Sequence, residues 1–166
     1  MLSDQHSAFT MSCAGHPVVQ TPHLDSLAVV LQRAGYATRG VVSNYLLDRP
    51  WGFDAGFDEF SMLQAEGHDQ ESAVVGGLVA DQALAWLDEL AEGDAPFFLM
   101  AHFFDPHAPW EGPNSAEPYE RYAAEVERTD AQIGRLVAAV RARWPGSDTL
   151  FVATSDHGVA ALDGWG

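Results

Sequence analysis

Thr149-Leu150-Phe151-Val152-Ala153 runs directly into Thr154-Ser155-Asp156-His157-Gly158. The first five residues are mostly apolar, β-branched or aromatic, and they follow the turn sequence Pro145-Gly146-Ser147-Asp148. That is the pattern of a short, fully buried β-strand. An Asp and a His placed where such a strand ends can turn a carboxylate oxygen and an imidazole nitrogen toward one cation. Ligands of open α/β sheets sit outside the carboxyl ends of the strands. The stretch therefore predicts both a strand and a candidate site, against the plainer alternative of a polar strand-to-loop turn.

Upstream of it the elements alternate. Residues 22–34 carry Leu24, Leu27, Leu31 and Ala34 at helical spacing, Gly35 ends the pattern, and Thr21 before Pro22 has the form of an N-cap with proline at the first helical position. A strand is expected over Thr38–Ser43, followed by the glycine- and aromatic-rich loop Trp51–Phe57. A second helix is expected over residues 72–91, through Val75, Leu78, Val79, Ala83, Trp86, Leu87 and Leu90. Pro96 introduces a second apolar strand, Phe97–Ala101, and a third helix over residues 117–143 keeps Tyr122, Val126, Ile133, Leu136, Val137 and Val140 on one face. The aromatic and leucine positions among these are expected in the core, not as cofactor boxes. Strands alternating with helices predict an α/β fold with a parallel sheet.

Length and composition bound the function. A chain of 166 residues is one domain's worth and can bury a sizeable core. The apolar fraction of 47% is that of a globular protein, and no stretch is apolar enough to span a membrane. The net charge of −16 comes from 24 acidic residues against eight arginines, with no lysine. Such a surface repels nucleic acid and anionic membranes, and it disfavours anionic substrates unless a cation reverses the local field. Cys13 is the single cysteine, so no intrachain disulfide forms and the redox compartment stays open.

Three polar clusters fall at expected strand ends. Beside Asp156-His157 they are Ser3-Asp4-Gln5-His6 and His102-Phe103-Phe104-Asp105-Pro106-His107-Ala108-Pro109-Trp110. If the three strands are parallel neighbours, all three clusters open on one sheet edge. Asp4, Gln5, Asp156 and His157 would then supply three oxygens and one nitrogen, a donor set suited to calcium, magnesium or manganese more than to structural zinc. His107, between Pro106 and Pro109, sits in a loop whose conformation the prolines restrict, where an imidazole can donate to an anionic oxygen.

These segments resemble the sulfatase family. Ser3–His6, Gly15–Val19 and Thr21–Ala28 are similar to the opening of sulfatases, with their first metal-ligand segment and a TPNLDxLA-type stretch. Leu31–Tyr36 with Thr38, Val42–Asn44 and Gly52–Phe60 resemble the part that follows the family's nucleophile. Phe97–Trp110 resembles its H(Y/F)FDPHxPY segment, Tyr122–Arg135 the helix before its last metal ligands, and Thr154–Gly158 its TSDHG. The resemblance implies an alkaline-phosphatase-like three-layer α/β/α sandwich with a mostly parallel sheet. It also implies Asp4, Gln5, Asp156 and His157 as metal ligands, with calcium the usual ion, and His107 as a contact to the sulfate or phosphonate group of a small-molecule ester.

The departures from the pattern shape the functional expectation. The family's C/S-x-P-S-R segment, whose first residue becomes a formylglycine nucleophile, has no counterpart among the 166 residues. The chain reads as though several dozen residues were removed between Ala28 and Val29. Cys13 is followed by Ala14-Gly15-His16-Pro17, with no proline two residues on and no nearby arginine to hold an anion, so it is a poor substitute. The family's assisting lysines are missing as well. Residues 1–166 are accordingly expected to be a single, partial sulfatase-like domain, incomplete at both ends, with a junction near residues 28–29. The expected activity is metal-dependent hydrolysis of sulfate monoesters, impaired by the missing nucleophile. Its alternatives are a phosphonate monoester or phosphodiester hydrolase, a non-catalytic metal- or anion-binding remnant, and a gene fragment that does not fold stably alone.

Overall fold

The computed structural model describes residues 27–64, 75–110, 117–146 and 149–155. Three helices, α1 (Leu27–Arg33), α2 (Gly76–Leu90) and α3 (Pro118–Arg143), alternate with three strands, β1 (Ala37–Val42), β2 (Glu59–Met62) and β3 (Phe97–Ala101). The strands are parallel in the order β2-β1-β3. Arg39 stands opposite Glu59 and Val42 opposite Met62, while Ala37 faces Phe97 and Val41 faces Ala101. This is the α/β class with a parallel sheet that the alternation predicts.

Local sequence explains where the elements begin and end. Gly35 takes φ +88° immediately after α1, and its N–H donates to Gln32 O at 3.0 Å, the left-handed stop that glycine adopts without steric cost. Pro118 opens α3, with Glu120 Oε2 accepting from the Glu117 N–H at 3.4 Å, and Arg141 and Arg143 stand in its last turn, where the helix dipole favours cations. No helix among the described residues is long and apolar enough to cross a membrane.

Side chains alternate across the pleat, so the sheet has two distinct faces. On one, Val41, Leu99 and Ala101 pack with Val79, Ala83 and Trp86 of α2, and Ala37 and Phe97 pack with Leu87, Leu90, Ala139 and Val140 of α2 and α3. On the other, Phe57 stacks on Phe98 with ring centroids 5.8 Å apart and tilts against Phe60 at 5.6 Å. Gly56, at φ +83°, brings this aromatic loop against α1: a Cβ there would fall 2.2 Å from Val29 N and 2.6 Å from Ala28 C. Ala28 and Val29, where the sequence reading puts the junction, both lie within α1.

Ion pairs join α2 to α3 at the surface. Arg135 Nη2 reaches Asp81 at 2.7 Å and Arg143 Nε reaches Asp88 at 2.9 Å. Exposed pairs of this kind contribute about 0–1 kcal/mol each. Burial of Leu87, which is fully enclosed, contributes more, since truncating such a leucine to alanine costs about 2–5 kcal/mol.

The structure corrects three expectations. Thr149–Ala153 is not a buried strand: residues 149–155 have no regular secondary structure, and Leu150 and Val152 are 86% and 76% exposed. An apolar run becomes a strand only when a neighbour satisfies its backbone N–H and C=O groups, and the described ladders join β1 to β2 and β3 alone. Thr149 and Phe151 instead line a shallow groove beside Val140, Arg141 and Trp144 at the end of α3. Second, Leu27 and Leu78 are exposed, not core. Helical spacing assigns residues to a face but does not fix how much of that face a neighbouring layer covers. Third, β2 and two 3₁₀ turns, Tyr45–Leu47 and Arg49–Trp51, were not expected from the sequence. Asn44 Oδ1 accepts from Leu46 N–H and Asp48 Oδ1 from Arg49 N–H to start those turns. The expected N-cap at Thr21-Pro22, and Leu24, lie outside the described residues.

Candidate active-site loop at the carboxyl end of the sheet

Parallel strands bring their carboxyl ends to one edge, and here that edge is Val42-Ser43, Met62-Leu63 and Ala101-His102. The ladder continues one step past each strand: His102 N–H donates to Val41 O at 2.9 Å and Leu63 N–H to Val42 O at 2.8 Å. The segment His102–Trp110 leaves β3 at this edge, the position at which open α/β sheets bind ligands.

Backbone-directed hydrogen bonds shape that loop. The buried Ser43 hydroxyl donates to His102 O at 3.0 Å and accepts from Phe104 N–H at 2.9 Å, joining the end of β1 to the first and third residues of the loop. His107 N–H donates to Phe104 O at 3.0 Å, and the His107 ring stacks on Phe104 with centroids 4.4 Å apart. Trp110 Nε1 donates to Pro106 O at 3.0 Å and meets Tyr122 of α3 edge-on.

His107 is exposed, and its Nδ1 lies 2.6 Å from Ala108 O. A carbonyl oxygen only accepts, so this contact assigns the proton to Nδ1. In the neutral ring Nε2 then keeps a lone pair, and in the charged ring it becomes a second donor available to an anion.

Asp105, two residues earlier, is buried, and its Oδ2 accepts from Gly76 N–H, the first residue of α2, at 2.8 Å. Burial pushes its carboxyl up from the ordinary value. The backbone N–H groups of Gly76, Asp105 and Val75 and the charge of Arg128 act against that shift. A Cβ at Gly76 would lie 3.1 Å from the same Oδ2, so the carboxylate and the helix start are in close contact.

Of the five site residues expected from the sequence, His107 stands on this loop; Asp4, Gln5, Asp156 and His157 lie outside the described residues. Among the described residues no three His, Cys, Asp or Glu side chains converge as a metal site would require. Ser43 and Asp105 are the contributors that sequence reasoning missed. Their signals were present but weak, a serine closing a β-branched strand and an Asp-Pro step inside a loop.

The described fold is thus a parallel α/β sheet with a histidine-bearing loop at its carboxyl edge. The chain belongs to the sulfatase family, whose sequence pattern matches residues 1–164. Among solved structures it is similar to Ps i-CgsB, determined in complex with k-i-k-neocarrahexaose, at a TM-score of 0.55 and 19% identity over 70% of this chain and 36% of that one. It is also similar to a protein in the alkaline phosphatase superfamily from Vibrio parahaemolyticus, at a TM-score of 0.53 and 22% identity over 70% of this chain and 31% of that one. At these identities the likeness shows the fold, and the chain spans about a third of the length of these structures. None of the curated proteins matches the sequence.

Proposed function

We propose that residues 1–166 form part of a single sulfatase-like catalytic domain, with a sequence junction near residues 28–29, that binds a small-molecule sulfate monoester. In this reading His107 contacts the anionic group, and Asp4, Gln5, Asp156 and His157 hold a divalent cation, calcium by family resemblance. The observation that carries it is the presentation of His107 at the carboxyl edge, its Nδ1 committed to Ala108 O and its exposed ring stacked on Phe104. The donor set of three oxygens and one nitrogen suits a hard cation. When bound, such an ion supplies polarisation of an ester oxygen.

Turnover is expected to be low, because no C/S-x-P-S-R segment and no lysine occur in the 166 residues. Loss of the nucleophile in a well-studied hydrolase costs on the order of a millionfold. That corresponds to about 8 kcal/mol of barrier. The same two features favour a second reading, a non-catalytic cation- and anion-binding module. A phosphonate ester is an alternative ligand by the same family likeness.

The test is hydrolysis of an aryl sulfate by the full chain, with added calcium and with chelator. Slow calcium-dependent release supports hydrolysis, and release no faster than the metal-free control removes it. Calcium-dependent thermal stabilisation that Asp156→Ala abolishes supports the binding module. Its absence in the unsubstituted chain removes the proposed cation site.

A further inference from the structure

The loop that carries His107 is tied to the rest of the fold through different layers. Ser43 ties its first residues to β1 within the sheet. Asp105 ties its middle to the helical layer, through the Gly76 N–H at the start of α2. The second tie is the one nearest the histidine. A carboxylate with this much desolvation is retained at a cost, and an apolar residue would fill the space without it. The bond it makes is charge-assisted and meets an N–H that no residue within the helix can accept. His107 in turn is linked to the same turn of chain, through its N–H to Phe104 O and its ring on Phe104, whose own N–H ends at Ser43. Displacing Asp105 from α2 therefore moves the platform on which the imidazole rests.

We infer that Asp105 is a positioning residue, holding the His102–Trp110 loop against the amino end of α2 so that His107 meets the anion in a fixed orientation. The inference rests on the anion contact proposed above for His107. Its specific content is that the acceptor bond to Gly76 N–H performs this role, and not the negative charge of Asp105, which opposes an anion. An asparagine, whose carboxamide oxygen accepts the same bond, should therefore serve in its place.

The experiment titrates the full chain with sodium sulfate at constant ionic strength and follows the His107 ring resonances by NMR, with thermal unfolding of every variant as a control. The unsubstituted chain should show a saturable His107 shift. Asp105→Ala should weaken the apparent sulfate affinity by about tenfold or more, the scale on which small misplacements act at a site. Asp105→Asn should stay within about threefold of the unsubstituted chain at the same scale. Gly76→Pro removes the donor and puts the proline ring where the N–H met Oδ2, so it separates Asp105 from α2 at a first helical position that tolerates proline, and should weaken sulfate as Asp105→Ala does. If Asp105→Ala does not fold, the contrast between Gly76→Pro and Asp105→Asn decides. Absence of any His107 shift in the unsubstituted chain overturns the inference together with the anion contact. A saturable shift that Gly76→Pro leaves unchanged overturns the positioning role alone. Equal weakening in Asp105→Asn and Asp105→Ala also overturns it, because charge and not the bond would then be responsible.

Discussion

Asp58 and Asp105 stand at opposite ends of one three-stranded sheet, and their surroundings push them in opposite directions. At the amino end Asp58 is exposed and well supplied with donors: Gln32 Nε2 at 2.7 Å, Thr38 N–H at 2.8 Å and Thr38 Oγ1 at 3.1 Å, with Arg39 nearby at 3.7 Å. These hydrogen bonds, the one from Gln32 foremost, hold its carboxyl below the usual value against the opposing effect of desolvation. At the carboxyl end Asp105 is buried against the start of α2, and desolvation outweighs its bonds and raises its carboxyl. The amino end is a structural knot built where water still solvates the charge. At the carboxyl end a desolvated carboxylate joins the His102–Trp110 loop to the start of α2.

Substitutions can break this contrast. The largest effect is expected from Gly56→Ala beside the amino-end knot, because φ +83° and a Cβ 2.2 Å from Val29 N force both backbone strain and a backbone clash. A loss of about 3 kcal/mol or more in denaturant unfolding is expected, and a loss below about 1 kcal/mol would show that the loop and α1 separate easily. Ser43→Ala at the carboxyl end leaves the Phe104 N–H without its acceptor and should cost about 1–3 kcal/mol. Amide exchange at Phe104 should accelerate with it, and unchanged protection there would detach Ser43 from the loop. Thr38→Val removes one donor from Asp58 and one acceptor for its N–H, at a fully buried position. It should cost about 1 kcal/mol.

The pH dependence sharpens the comparison further. Asp58 has a lowered native value, so its contribution is present above the ordinary carboxylate range and is lost as pH falls through that native value. Asp58→Asn should therefore flatten the acid limb of stability against pH. Asp105 has a raised native value, so its contribution is full below the ordinary range and is lost as pH rises through the native value. Asp105→Asn, the smallest change expected, should leave stability unchanged or raise it slightly at neutral pH while changing little in acid. A fall in thermal midpoint at neutral pH in Asp105→Asn would reverse the assignment of burial as the dominant influence on this group.

Much of the scaffold was legible before any coordinates. Phe97–Ala101 is a strand at its expected limits because Pro96 marks its start and an unbroken apolar run suits a strand of a parallel sheet. The third helix is long and strongly periodic, so its bounds came out within a residue. Glu59–Met62 was not legible, since four residues with two polar members acquire strand geometry only from pairing with β1. Thr149–Ala153 shows the converse: its composition is strand-like, yet it is irregular and exposed, because composition alone supplies no pairing neighbour.

At the loop, the histidine between two prolines was readable as a candidate from its spacing alone, and family order along the chain pointed to the same residue. What no spacing contains is that Ser43, 64 residues before His107, anchors the same loop, or that Asp105 meets the first N–H of a helix 29 residues upstream. Periodicity, turn residues and motif order are local properties, and they settled the class, the parallel alternation and the family. Burial and partner choice depend on which layers meet across the sheet. Only the tertiary structure therefore decided that one aspartate is a solvated knot and the other a desolvated anchor.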